Sequence, residues 1–250
     1  MTETHRYRQL SEEQINQTLR RLVARISERF PDSGLSRLSR ELVLIGEEAS
    51  ACVAYLRRPN WGVRVAVGVL IAVMCTVIVM AGMSMRLPGR VDRLSELVTM
   101  LESAINDVVF LGVAMFFLLT IEGRLKRRKA LHSLHQLRSI VHIVDMHQLT
   151  KDPERLMSPR EDTPSSPERV MSAPELGRYL DYCSELLALT SKIAALFVQQ
   201  FNDPVVLSTV NEVETLVTGL SGKIWQKITL LDRPSPSPVS PPLARTVVPG

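Results

Sequence analysis

From Val65 to Met85 the chain runs through 21 residues without a charged side chain. At ~1.5 Å of helical rise per residue, that length crosses a hydrocarbon layer about 30 Å thick. The chain is therefore expected to live in a membrane. The first 60 residues carry charges throughout and hold no short apolar run near the start, so no cleavable signal peptide is expected. Val65 to Met85 would then act as its own insertion signal.

A second apolar stretch, Val108 to Ile121, has 14 uncharged residues, a length that a buried core helix also accommodates. Counting back through Asp107, placed near headgroup level, Asn106, Ile105 and Ala104 gives 18 residues. The Glu122 to Lys129 segment that follows has the polar, cationic character of a stop. The reading is a two-span transmembrane helical hairpin within residues 61–122, with spans at 64–85 and 104–121. Between them, Leu87-Pro88-Gly89 signals a turn, and Val91, Leu94, Leu97 or Val98, and Leu101 recur at helical intervals, predicting an amphipathic lead-in.

Cations set the expected orientation. Arg57, Arg58 and Arg64 precede the first span, and the basic cluster Arg124, Lys126, Arg127, Arg128 and Lys129 follows the second. Only Arg86, Arg90 and Arg93 lie between. Eight against three places both termini in the cytoplasm of a plasma or inner membrane. The net charge of +4 is accounted for by this cluster at a membrane surface. A nucleic-acid face is not expected, because aromatic residues are 5% of the chain and do not interleave with the cations.

The remaining sequence is patterned for helices. Ser11-Glu12-Glu13-Gln14 has capping-box spacing, with Leu10 and Ile15 placed as a hydrophobic staple. Ile15, Leu19, Leu22, Ile26 and Phe30 continue at three- and four-residue steps up to Pro31. Leu35, Leu38, Leu42, Ile45, Ala49, Cys52 and Leu56 form the next stripe, so residues 1–60 are expected to make a cytosolic helical hairpin. In the juxtamembrane segment 123–157, Leu134, Leu137, Val141 and Val144 give a coiled-coil-like seam of about two heptads. Residues 158–171, rich in Pro, Ser and charge, predict a flexible linker.

Order is expected again over 172–232, as a second cytosolic hairpin. Ser172-Ala173-Pro174-Glu175 starts one helix, and Asp203-Pro204 caps and starts the other. The apolar stripes run from Leu176 to Phe201 and from Val206 to Leu231; Gly219 and Gly222 mark a bend or a close contact. Residues 233–250, with Pro234-Ser235-Pro236-Ser237-Pro238, predict a disordered tail. The fold class is all-α: a membrane hairpin carrying amphipathic helices that form a bundle.

Chemistry is sparse. Cys52, Cys75 and Cys183 are odd in number and widely spaced, which offers neither a disulfide framework nor a zinc site. There is no glycine-rich phosphate loop, no G-x-S-x-G and no H-E-x-x-H. His132, His135, His142 and His147 cluster, with Asp145 beside them. Pairs one turn apart lack a third ligand, so the group reads as solvated or interface residues, or as a pH-sensitive patch beside anionic lipid. No cofactor, metal or small-molecule substrate is expected.

Two further features bear on contacts. Gly68, Ala72 and Thr76 form a small-residue stripe on the first span, with Gly112 as the matching surface on the second; intramolecular packing and self-association both fit it. Phe197 and Trp225 are the candidate interaction anchors of the C-terminal hairpin, with core packing the alternative role of each. The function expected is non-enzymatic: a membrane-anchored helical module for assembly or regulation, partnered by lipid and by a second copy or another protein. The rival readings are an oligomeric channel or transporter component, with Asn106, Asp107 and Thr120 facing a pore, and an enzyme built on the histidine helix.

Overall fold

Local capping chemistry sets where the helices begin. Ser11 accepts a hydrogen bond from the Gln14 N–H at 3.4 Å and starts α1, Glu12–Arg29. Pro31 prevents its continuation, and Asp32 turns the chain in the left-handed region at φ 58°, a conformation aspartate tolerates better than most residues. Ser33 then accepts from the Ser36 N–H at 3.0 Å and starts α2, Gly34–Arg57. After Arg58-Pro59 comes α3, Trp61–Ser84, and then α4, Leu94–Leu149. The Ser172–Glu175 capping box opens α5, Ala173–Gln200. Asp203 accepts from the Val205 and Val206 N–H groups at 3.0 and 3.2 Å and opens α6, Pro204–Leu231.

The computed structural model describes residues 9–59, 61–84, 94–153, 164 and 171–232. Among them there are six helices and no strand, so the chain is all-α. The expected linker over 158–171, apart from Pro164 and Met171, and the tail over 233–250 lie outside the described residues, as does the turn at Leu87-Pro88-Gly89.

One core joins α1, α2, the C-terminal half of α4, α5 and α6. Helix α5 is central to it and touches each of the other four. Its buried side chains occupy two adjoining faces, Leu180, Leu187 and Ala194 on one and Tyr179, Leu186, Ile193 and Phe197 on the other. A helix enclosed by neighbours needs this wider apolar surface. The α1 stripe is buried at Ile15, Leu19, Leu22 and Ile26, and the α6 stripe from Val206 to Ile224. The seam Leu134, Leu137, Val141 and Val144 is fully buried, against helices of the same chain. Gly46 lets α2 come close: a Cβ there would lie 3.3 Å from Asn16 Oδ1 and 3.4 Å from Ile193 Cδ1.

Helix α4 is 56 residues long, ~84 Å by helical rise. It carries the expected second span, the basic cluster and the histidine segment without a break. Helix α3 touches α4 and stands apart from the five-helix core. Several side chains of α3 and of the first half of α4 lie outside the described set, and among the described residues no helix is long and apolar enough to cross a membrane. What stands is the all-helical bundle; the two-span hairpin is not established by the structure.

The glycines singled out in the sequence on α3, α4 and α6 have open surroundings. A Cβ on Gly219 or Gly222 would meet nothing within 4 Å, so neither mediates a close contact. A Cβ on Gly68 or Gly112 likewise meets nothing within 4 Å among the described residues.

Candidate functional site

The basic cluster on α4 sits where the apolar half of that helix enters the bundle, and its five cations are in unlike surroundings. Lys126 is buried and donates to Glu122 Oε1 at 3.0 Å, one turn earlier on the same helix. The other oxygen of Glu122 accepts from Arg64 Nε of α3 at 3.1 Å. Glu122 thus bridges two cations at the junction of α3, α4 and the bundle. Arg127 reaches Asp203 Oδ2 through Nε at 2.8 Å and Nη2 at 2.7 Å, tying α4 to the start of α6. Lys129 Nζ lies 4.2 Å from the centroid of the Tyr55 ring on α2.

Asp203 serves two elements at once. Burial pushes its carboxyl pKa up, but the hydrogen bond from Arg127, those from the Val206 and Val205 N–H groups, and the Arg127 charge outweigh it and hold the pKa below the usual carboxylate range. It stays ionised at neutral pH, as both roles require.

Arg124 and Arg128 remain. Both are exposed, and Arg124 lies over the Phe117 ring at 5.5 Å from its centroid. Arg128 makes no ion pair among the described residues. With Arg127, Leu131, His132 and His135 they line an open groove of about 490 Å³ that has no carboxylate among its lining residues.

The structure divides the histidine group. His132 and His135 are exposed in that groove, and His142 is exposed further along α4. His147 is half-buried where α4 meets the start of α2. Asp145 accepts from Gln148 Nε2 at 2.6 Å, within the last turns of α4. No set of three or more His, Cys, Asp or Glu side chains able to hold a metal occurs among the described residues. Cys52 and Cys183 are buried free thiols, and burial drives Cys183 up to about 12, which keeps it protonated and unreactive at neutral pH.

Of the small-residue stripe, Thr76 donates its hydroxyl to the Ala72 carbonyl at 2.8 Å, a bond within its own helix. Phe197 is fully buried and belongs to the core, the alternative role for that residue. Trp225 is 68% exposed. It edges a groove of about 290 Å³ between α5 and α6, where Asp181 and Glu185 are paired with Arg178 and Arg25.

Sequence reading passed over three working contacts. Glu122 as a joint, Arg127 as the partner of Asp203, and Lys227 all depend on residues far apart in the chain. Lys227 Nζ donates to the carbonyls of Gln148 and Lys151 at 2.8 and 3.0 Å and so satisfies the C-terminal end of α4. The chain matches no family model, no curated protein and no solved structure.

Proposed function

We propose that this chain is a non-enzymatic, membrane-anchored helical module. A two-span hairpin made of α3 and the first half of α4 holds it in a plasma or inner membrane, with the five-helix bundle and both termini on the cytoplasmic side. The bundle acts through helix contacts, in assembly or regulation. The observation that carries this reading is connectivity. Helices α1 and α2 precede the uncharged run, while the second half of α4, α5 and α6 follow it, and all five share one core. A membrane segment between them must leave and return on the same side, and two spans do so.

Exposure agrees with this. Large apolar side chains face outward along α3 at Val65, Val69, Val73 and Met80, and along α4 at Val109, Phe110, Val113 and Phe116, with Phe110 74% exposed. An apolar surface that extensive calls for an apolar surrounding. Thr120 Oγ1, one of the residues of the pore reading, donates to the Phe116 and Phe117 carbonyls of its own helix at 3.0 Å.

The test is extraction and sidedness. The full chain should stay with membranes through alkaline carbonate washing and leave them only in detergent. In a chain with its native cysteines replaced, Leu94→Cys should react with an impermeant maleimide in sealed cells while Ser165→Cys should not. Release by carbonate alone, or the reverse labelling pattern, would overturn the reading.

A further inference from the structure

The apolar half of α4 and its basic half share one face. Phe110, Val113, Phe117, Arg124, Arg128, Leu131 and His135 follow one another at steps of three, four and seven residues, which keeps them aligned along the helix. Contact between Arg124 and the Phe117 ring joins the two halves. From Val113 to Arg124 is ~16 Å of helix, about the depth of one leaflet of a hydrocarbon layer. A guanidinium at that level meets phosphate rather than acyl chains.

The neighbouring cations are committed elsewhere: Lys126 to Glu122, Arg127 to Asp203, Lys129 to the Tyr55 ring. Arg124 and Arg128 are therefore the uncompensated pair, in an open groove to which His132 and His135 add ring N–H donors and no residue adds a carboxylate. Arginine suits such a place because its planar fork can give two parallel hydrogen bonds to a phosphate.

We infer that this groove is a binding site for the phosphate headgroup of an anionic membrane lipid, with its acyl chains lying along Phe117 and Val113. Arg124 and Arg128 supply the charge, His132 and His135 the additional donors, and Leu131 the apolar floor. The inference rests on the membrane-anchored reading above. It adds that the contact with lipid is selective and local to this groove.

The experiment places the full chain in phosphatidylcholine bilayers and compares trace spin-labelled phosphatidylglycerol with spin-labelled phosphatidylcholine for the fraction immobilised on the protein. The wild type should prefer phosphatidylglycerol, and the preference should fall about fivefold for each cation removed in Arg124→Gln and Arg128→Gln. Arg57→Gln/Arg58→Gln, which removes exposed cations elsewhere, should leave it unchanged. Equal affinity of the wild type for both lipids overturns the site while leaving the anchor intact. Equal loss in the Arg57/Arg58 variant also overturns it, since diffuse surface charge would then explain the preference. Displacement of the labelled lipid by inorganic phosphate at constant ionic strength would make the ligand a soluble phosphate and overturn the lipid assignment. A chain that does not enter neutral bilayers defeats the anchored reading itself, and the inference with it.

Discussion

His147 packs where α4 meets the start of α2, and a Cβ on Gly34 would collide with its ring. Burial, and then the positive charges of Lys151 and Arg37, hold its pKa below the ordinary histidine range. The unfolded chain takes up this proton more readily than the folded one. The stability contributed here is thus complete above about pH 6.5 and is lost as pH falls through the lower folded pKa. Between about pH 7.5 and about pH 5.5, the wild type should lose a few degrees of Tm that His147→Gln keeps. Equal losses in the two proteins would show that the imidazole is not the sensor. Glu175 and Asp203 do not confuse that window: hydrogen bonds from the Ser172 N–H and hydroxyl hold the first low, and Arg127 with the Val205 and Val206 N–H groups the second, so both titrate at more acidic pH. At this scale the capping residues were legible, because Ser11 and Asp203 accept from N–H groups two or three positions away and Glu175 accepts from the Ser172 N–H three positions back. The grip of Arg127 on Asp203 was not, since no local pattern links residues on different helices that only the fold brings together.

The helices themselves were read from periodicity, and every stripe residue of α1 from Ile15 to Ile26, and of α6 from Val206 to Ile224, is buried. Periodicity says which face is apolar and leaves open what covers it. The α4 seam is a case in point: coiled-coil spacing marked it, and α2, α5 and α6 of the same chain pack around that part of α4. Phe197 and Trp225 separate for the same reason. Both are large aromatics on apolar helices, yet one is fully buried in the core and the other 68% exposed. Phe197→Ala should cost about 3–5 kcal/mol and lower Tm by about 10 °C or more, whereas Trp225→Ala should leave Tm within about 2 °C. Thermal melts of the two variants check this directly. A large loss at Trp225 would mean that its ring supports the fold rather than facing outward.

For the molecule as a whole, the decisive geometry is at Glu122, which holds Arg64 of α3 3.1 Å away and Lys126 of α4 3.0 Å away. The chain therefore leaves the bundle toward α3 and returns along α4 at neighbouring points, although 57 residues separate Arg64 from Glu122. Closing a gap between neighbouring points carries a small entropic cost, and about six Gly/Ser residues reach ~13 Å on average. A shortened chain in which such a linker joins Pro59 directly to Arg124 keeps all five core helices and discards the exposed apolar surface. It should be soluble without detergent, highly helical and monomeric, and should melt in one cooperative transition. The segment 172–232 alone should be poorly folded or self-associating, because α5 would lose α1, α2 and α4 from around it. Circular dichroism with sedimentation measures both. If the shortened chain is unfolded, the bundle depends on the hairpin for more than attachment. If instead the full chain proves equally soluble without detergent, the outward-facing residues of α3 and α4 have some cover other than lipid, and the anchored reading fails.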